Sequence, residues 1–184
     1  FAPAEVLCFG VADAATGAPV TPATRFCLQS VSKSIAAWAA MKLVEDGRLD
    51  LDRPISTYMK RWTLPPSDRF DLDLVTARRL LSHHAGVTTA GFRGVELHRT
   101  EFTLIDAMTG RLPPPNADWQ RHYAYWDLPP DDDLVTVTHP PGEAFRYSNA
   151  GFGLVELAIE DITGEAFGSF VERAILAPLG MRAS

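Results

Sequence analysis

Cysteine, lysine and asparagine are scarce in this chain, and each scarcity narrows what the protein can be. Only two cysteines, Cys8 and Cys27, occur among 184 residues. They have neither the density of a disulfide scaffold nor the spacing of a metal site, so they are expected as two buried thiols. No apolar run approaches the ~18 residues that a membrane span needs, and no transmembrane segment is expected. The opening Phe1-Ala2-Pro3-Ala4-Glu5 lacks the basic start and apolar stretch of a secretory signal. With a formal net charge of −6 and no cluster of Lys and Arg able to neutralise a row of phosphates, nucleic acid is excluded as an expected partner. What is present, 46% hydrophobic and 22% charged residues, is the composition of a globular domain with a sizeable core. No internal repeat or low-complexity segment interrupts it.

Along the chain, one hairpin is followed by helices. Val6 to Val11 and Arg25 to Leu28 read as adjacent antiparallel strands, separated by the turn-forming Asp13-Ala14-Ala15-Thr16-Gly17. From Ser32 to Glu45, Ile35, Trp38, Ala39 and Leu43 recur at helical spacing, and Asp46-Gly47 supplies a stop. Thr76 can cap a short helix through Leu80 and Leu81 that breaks at Ala85-Gly86, leaving His83 and His84 near its end. The section from about 88 to 141 carries Pro113-Pro114-Pro115, Pro129-Pro130 and Asp131-Asp132-Asp133, and reads as extended loop with short helical pieces. Past Gly151, Leu154, Leu157, Ala158 and Ile162 line one helical face up to Gly164. Phe167, Phe170, Val171 and Ala174 line another.

The chemistry starts at Ser30-Val31-Ser32-Lys33. A serine hydroxyl is a weak nucleophile without a neighbouring base, and a lysine amine can be that base where its surroundings hold it neutral. Positions i and i+3 share a helix face, so Ser30 in an opening turn and Lys33 one turn on can meet. The unpaired N–H groups of a helix start lie where an oxyanion would develop. Nine serines and three lysines produce a Ser-x-x-Lys by chance at roughly 0.15 per chain of this size, so the motif alone is weak. Its setting strengthens it: a strand runs directly into a well-marked helix, and lysine stands where the chain otherwise prefers arginine. A second group, Tyr147-Ser148-Asn149, precedes the helix near Gly151. A phenol can relay a proton when cations lower its pKa, and a side-chain amide can donate to and accept from a substrate amide. Tyr-x-Asn arises by chance at roughly 0.04, so the two motifs together are rare.

These segments carry a resemblance. Phe26-Cys27-Leu28-Gln29-Ser30-Val31-Ser32-Lys33, with Leu43 through Asp52, resembles the nucleophile strand and helix of the β-lactamase-related serine hydrolases. That superfamily includes penicillin-binding proteins, class C β-lactamases, family VIII-type esterases, D-alanyl carboxypeptidases and D-aminopeptidases. Arg79 through Val87 is similar to the family's helix-ending histidine turn, Pro141 through Gly151 to its tyrosine loop, and Pro178-Leu179-Gly180-Met181 to a closing phrase. The resemblance implies an α+β fold of the β-lactamase/transpeptidase type, with a helix-rich part and an N-terminal antiparallel hairpin. It implies Ser30 as nucleophile, Lys33 as its proton partner, Tyr147 as the base-relay group and Asn149 as a substrate-amide contact. No cofactor and no metal are implied. The family's third motif, a Lys-Thr-Gly or His-x-Gly type strand, and its C-terminal sheet strands do not occur in this sequence. Residues 1–184 are therefore expected to be one incomplete domain, with hairpin 1–29 and a mainly helical region 30–184. The missing part would come in cis or from a second chain.

Two function classes follow from the resemblance. One is a hydrolase acting through an acyl-Ser30 intermediate on a small-molecule ester, a β-lactam or a D-amino-acid peptide. The other is a penicillin-binding or sensor domain that acylates slowly or not at all. The joint presence of Ser30, Lys33 and Tyr147 favours the first. The neighbouring His83 and His84 have no further ligand at helical spacing and read as a helix-end turn rather than a zinc pair. Asp131 to Asp133 read as a solvated run rather than a calcium loop. Trp119, Tyr123, Tyr125 and Trp126 read as packing for a long loop, with a pocket wall as the alternative.

Overall fold

The computed structural model describes residues 5–88, 101–112 and 134–181. The aromatic group at 119–126 and the acidic run at 131–133 lie outside them.

A tight turn organises the N-terminal hairpin. The Asp13 carboxylate accepts the Ala15 N–H at 2.8 Å and the Thr16 hydroxyl at 2.9 Å, and Gly17 takes the left-handed φ of 70° that closes the turn. Strand β1 (Val11–Asp13) pairs antiparallel with β2 (Ala18–Pro19), with Val11 opposite Pro19 and Asp13 opposite Ala18. The pairing therefore sits closer to the turn than expected: the Gly10 carbonyl still accepts the Val20 N–H at 3.1 Å, but Val6 to Phe9 and Arg25 to Leu28 form no ladder. Among the described residues no third strand joins these two, and two strands alone cannot bury a face. Val6, Leu7, Phe9, Phe26 and Leu28 accordingly remain exposed. The cysteines share this fate: Cys27 is exposed and Cys8 only partly covered, so they are not the buried pair expected from their apolar neighbours.

Helix α1 (Ser32–Glu45) spans the expected residues. Its sequence is rich in alanine and free of glycine and proline, and it stops where Gly47 turns left-handed at φ 67°. It buries Ala36, Ala39, Ala40 and Leu43. Trp38 is instead half exposed, because the small alanine side chains, not the indole, form the inner face. Thr76 caps the short α2 (Ala77–Leu81) by accepting the Arg79 N–H. Within the long middle section, α3 (Leu104–Met108) opens with a reciprocal capping box between Thr103 and Asp106.

The centre of the molecule is α4 (Asn149–Thr163), which starts two residues earlier than expected because Ser148 caps it through the Gly151 N–H at 2.9 Å. Leu154, Val155, Leu157, Ala158 and Ile159 are fully buried, each larger side chain contributing roughly 2 kcal/mol of apolar transfer. Helices α1, α2 and α3 all pack on α4, as does α5 (Phe167–Val171), which continues as a π-helical turn over Glu172–Leu176. Asp161 ties α4 to the 60–61 loop: its carboxylate accepts the Lys60 N–H at 2.6 Å, the Arg61 N–H at 3.1 Å and the Arg61 guanidinium. Among the described residues no helix is long and apolar enough to cross a membrane.

A second stretch of backbone pairing matters more for the site. Residues after α2 run beside 134–148. Thr88 N–H donates to the Thr136 carbonyl at 2.9 Å, and the Gly86 carbonyl accepts from Thr138 at 2.9 Å and His139 at 3.0 Å. The His84 carbonyl accepts from Gly142 and the His83 carbonyl from Arg146, both at 2.7 Å. The histidine turn is thus the template on which the tyrosine loop is laid.

Candidate active site

Ser30 sits in a 3₁₀ turn, Gln29–Val31, that leads without interruption into α1. Gln29 adopts φ 49°, and His83, at the end of α2, adopts φ 59°. They are the two non-glycine residues with positive φ among the described residues. Left-handed backbone costs such residues about 1–2 kcal/mol, and strain of this kind concentrates at functional sites.

One helical turn separates Ser30 from Lys33, and the Lys33 Nζ donates to Ser30 Oγ at 3.1 Å. From 117 positions further along, the Tyr147 hydroxyl donates to the same Oγ at 2.7 Å. Lys33 also donates to Asn149 Oδ1 at 2.6 Å; Asn149 is the first residue of α4, immediately after the Ser148 cap. All four residues expected at the site are therefore in one hydrogen-bonded group. The Lys33 Nζ lies 4.9 Å from the Tyr147 ring centre and 5.5 Å from that of Phe152, within range of cation–π attraction.

Ser30 is exposed and Tyr147 is 42% exposed, so a reactant can reach the hydroxyl. Burial pushes the Tyr147 phenol up, but its polar contacts with Lys33 and Ser30 and the Lys33 charge outweigh that and hold it below the ordinary phenol value. This is the direction a proton-relaying phenol requires.

Three further residues surround this group: His83, read from the sequence as part of a helix-end turn, Ser148, read only as the middle of the tyrosine motif, and Phe152, which no pattern named. His83 accepts the Ser148 N–H on Nδ1 at 3.1 Å and packs its ring 4.4 Å from that of Tyr147. Burial, then the charges of Lys33 and His84, push its imidazole below the usual value. Phe152, one turn into α4, packs 5.3 Å from the His83 ring. Ser148, besides capping α4, donates to the buried Thr88 carbonyl at 2.6 Å. A serine just before an apolar-periodic helical run is a cap signal that could have been read; the partners of His83 could not. Among the described residues, no group of three or more His, Cys, Asp and Glu could hold a metal ion.

Comparison with known proteins gives a consistent picture. Residues 4–184 match the family described as Beta-lactamase. Esterase EstB of Burkholderia gladioli is 28% identical over 178 residues, covering 94% of this chain and 41% of EstB. The penicillin binding protein from Bacillus halodurans is 29% identical at a TM-score of 0.63, covering 95% of this chain and 48% of that one. The D-amino acid amidase from Ochrobactrum anthropi SV3, solved with D-phenylalanine, is 26% identical at a TM-score of 0.66, covering 95% and 41%. The curated relatives are longer: this chain spans 41% of EstB and 30% of protein flp of Staphylococcus aureus strain N315.

Proposed function

This chain belongs to the Beta-lactamase family, within the serine β-lactamase and transpeptidase superfamily, and from that membership we propose that it acts as a serine hydrolase through an acyl-enzyme on Ser30. The observation that carries the proposal is the convergence on one oxygen. Lys33 at 3.1 Å and Tyr147 at 2.7 Å both meet Ser30 Oγ, from elements far apart in the sequence.

In the proposed reaction Tyr147 acts as the phenolate that the Lys33 charge favours, and its oxygen takes the Ser30 hydroxyl proton as Oγ bonds to the substrate carbonyl carbon. The carbonyl oxygen takes the electron pair at the N-terminal end of α1, where the positive end of the helix dipole favours the developing negative charge. Collapse of this intermediate breaks the bond to the alcohol or amine, which leaves with a proton from Tyr147. Water then attacks the acyl-Ser30 ester by the same route and restores the hydroxyl. With Asn149 Oδ1 committed to Lys33, its amide N–H₂ is the end that meets a substrate carbonyl.

The substrate class is an ester, a β-lactam or a D-amino-acid amide or peptide. The similar proteins, an esterase, a penicillin binding protein and a D-amino acid amidase, support that range. The test is a chromogenic short-chain ester and a fluorescent penicillin, with the adduct mapped by mass spectrometry to the peptide containing Ser30. Ser30→Ala should abolish labelling, and Tyr147→Phe and Lys33→Ala should slow it by orders of magnitude. Ser32→Ala should leave it intact. Equal losses from Ser30→Ala and Ser32→Ala would remove Ser30 as the nucleophile.

A further inference from the structure

Tyr147 is held from both sides by one residue. The carbonyl of His83 accepts the N–H of Arg146 at 2.7 Å, and its ring Nδ1 accepts the N–H of Ser148 at 3.1 Å. The two neighbours of Tyr147 in the chain are therefore both fastened to His83. Between them the phenol ring packs against the imidazole, with centres 4.4 Å apart and planes 34° apart. Phe145 at 5.6 Å and Phe152 at 5.3 Å border the same imidazole.

The state of the ring follows from its partner. A backbone N–H can only donate, so Nδ1 carries no proton and the imidazole proton is on Nε2. A protonated ring would lose the Ser148 bond and set a second cation beside Lys33. No contact of His83 with Ser30 or Lys33 is needed for any of this.

We propose that His83 is the positioning residue for Tyr147, fixing the phenol on Ser30 through its ring nitrogen and ring face. This rests on the reading of Ser30, Lys33 and Tyr147 given above. The histidine does not touch the reacting atoms. It sets where the relay group stands, and a displacement of about 1 Å in such a group is worth up to ~100-fold in rate.

The test uses His83→Gly in the full-length protein. Glycine accepts the left-handed φ without strain and keeps the carbonyl that holds Arg146, but it removes the whole ring. With a chromogenic ester, kcat is expected to fall at least about tenfold while KM moves less than about twofold, since substrate binding groups are untouched. Independently of activity, the tyrosinate absorbance of each protein minus that of its Tyr147→Phe counterpart isolates the titration of Tyr147. This should move to higher pH in His83→Gly as the phenol drifts from Lys33. His83→Asn, which tolerates left-handed backbone and offers Oδ1 where Nδ1 stood, should restore part of both quantities, and it decides the question if the glycine variant does not fold. Unchanged kcat with an unchanged Tyr147 titration in folded His83→Gly overturns the proposal; if the glycine variant does not fold, the same result in His83→Asn, which lacks the ring face, overturns it. Ser30→Ala keeps the two claims apart: if that variant is still acylated, the nucleophile reading falls while the titration still decides the role of His83.

Discussion

Gly86→Ala is the substitution that best tests the coupling between the histidine turn and the tyrosine loop. A Cβ at this position would lie 2.2 Å from the His139 carbonyl oxygen and 2.9 Å from its carbon, at a φ of 67°. Restoring an ordinary carbon–oxygen contact means moving the His139 backbone by roughly 1 Å. Three costs then combine. Left-handed alanine costs about 1–2 kcal/mol. The Thr138 and His139 N–H bonds to the Gly86 carbonyl, at 2.9 and 3.0 Å, are weakened or lost at about 1 kcal/mol each. The sum is roughly 3–4 kcal/mol of stability. Because the same strand of chain continues into the loop that carries Tyr147, acylation should also slow, by up to ~100-fold for a 1 Å displacement of the phenol. Urea unfolding measures the first effect and burst kinetics with a chromogenic ester the second. A Gly86→Ala protein within about 0.5 kcal/mol of the parent, acylating at the parental rate, would refute the reasoning.

Other expectations concern charge and surface. Burial, with the like charge of Glu160 one turn away, raises the Glu156 carboxyl from its ordinary 4.5 to about 7, corresponding to at most roughly 3 kcal/mol. The folded state then holds the proton more tightly than the unfolded state, so stability falls as pH rises from about 4.5 to about 7. Glu156→Gln should melt higher than the parent at pH 8 and alike at pH 4; equal melting temperatures at both would sink the idea. Asp161→Ala leaves the Lys60 and Arg61 N–H groups and the Arg61 guanidinium without their buried acceptor, and should cost about 2–4 kcal/mol in urea unfolding. A loss below about 1 kcal/mol would show that water replaces the carboxylate. Val6, Leu7, Phe9, Phe26, Leu28, Val31 and Trp38 are each at least half exposed, so residues 1–184 expressed alone should self-associate in sedimentation experiments. A monodisperse monomer at high concentration would contradict this.

What could be read from the sequence was whatever local rules control. The Ala-rich run from Ser32 and its Gly47 stop, the Thr76 cap, and the apolar face of α4 up to Gly164 depend on neighbours within a turn or two, and each formed as expected. Ser30 and Lys33 are three residues apart on a helix opening, so their meeting was a matter of helical period. Tyr147 and Asn149 could be named as candidates by motif and resemblance, but the approach of Tyr147 to Ser30 across 117 positions and of Asn149 to Lys33 across 116 is a property of the packed α1, α4 and loop, not of any local pattern. The exposed cysteines, the shortened β1–β2 pairing and the outward Trp38 went against expectation for one reason. Apolar patterning states which residues prefer burial, whereas the supply of a covering layer is decided elsewhere in the fold. His83 shows the same division most clearly. Its place at a helix end is written in its neighbours, but its grip on both sides of Tyr147 exists only because hydrogen bonding and ring packing act between segments that the tertiary structure brings together.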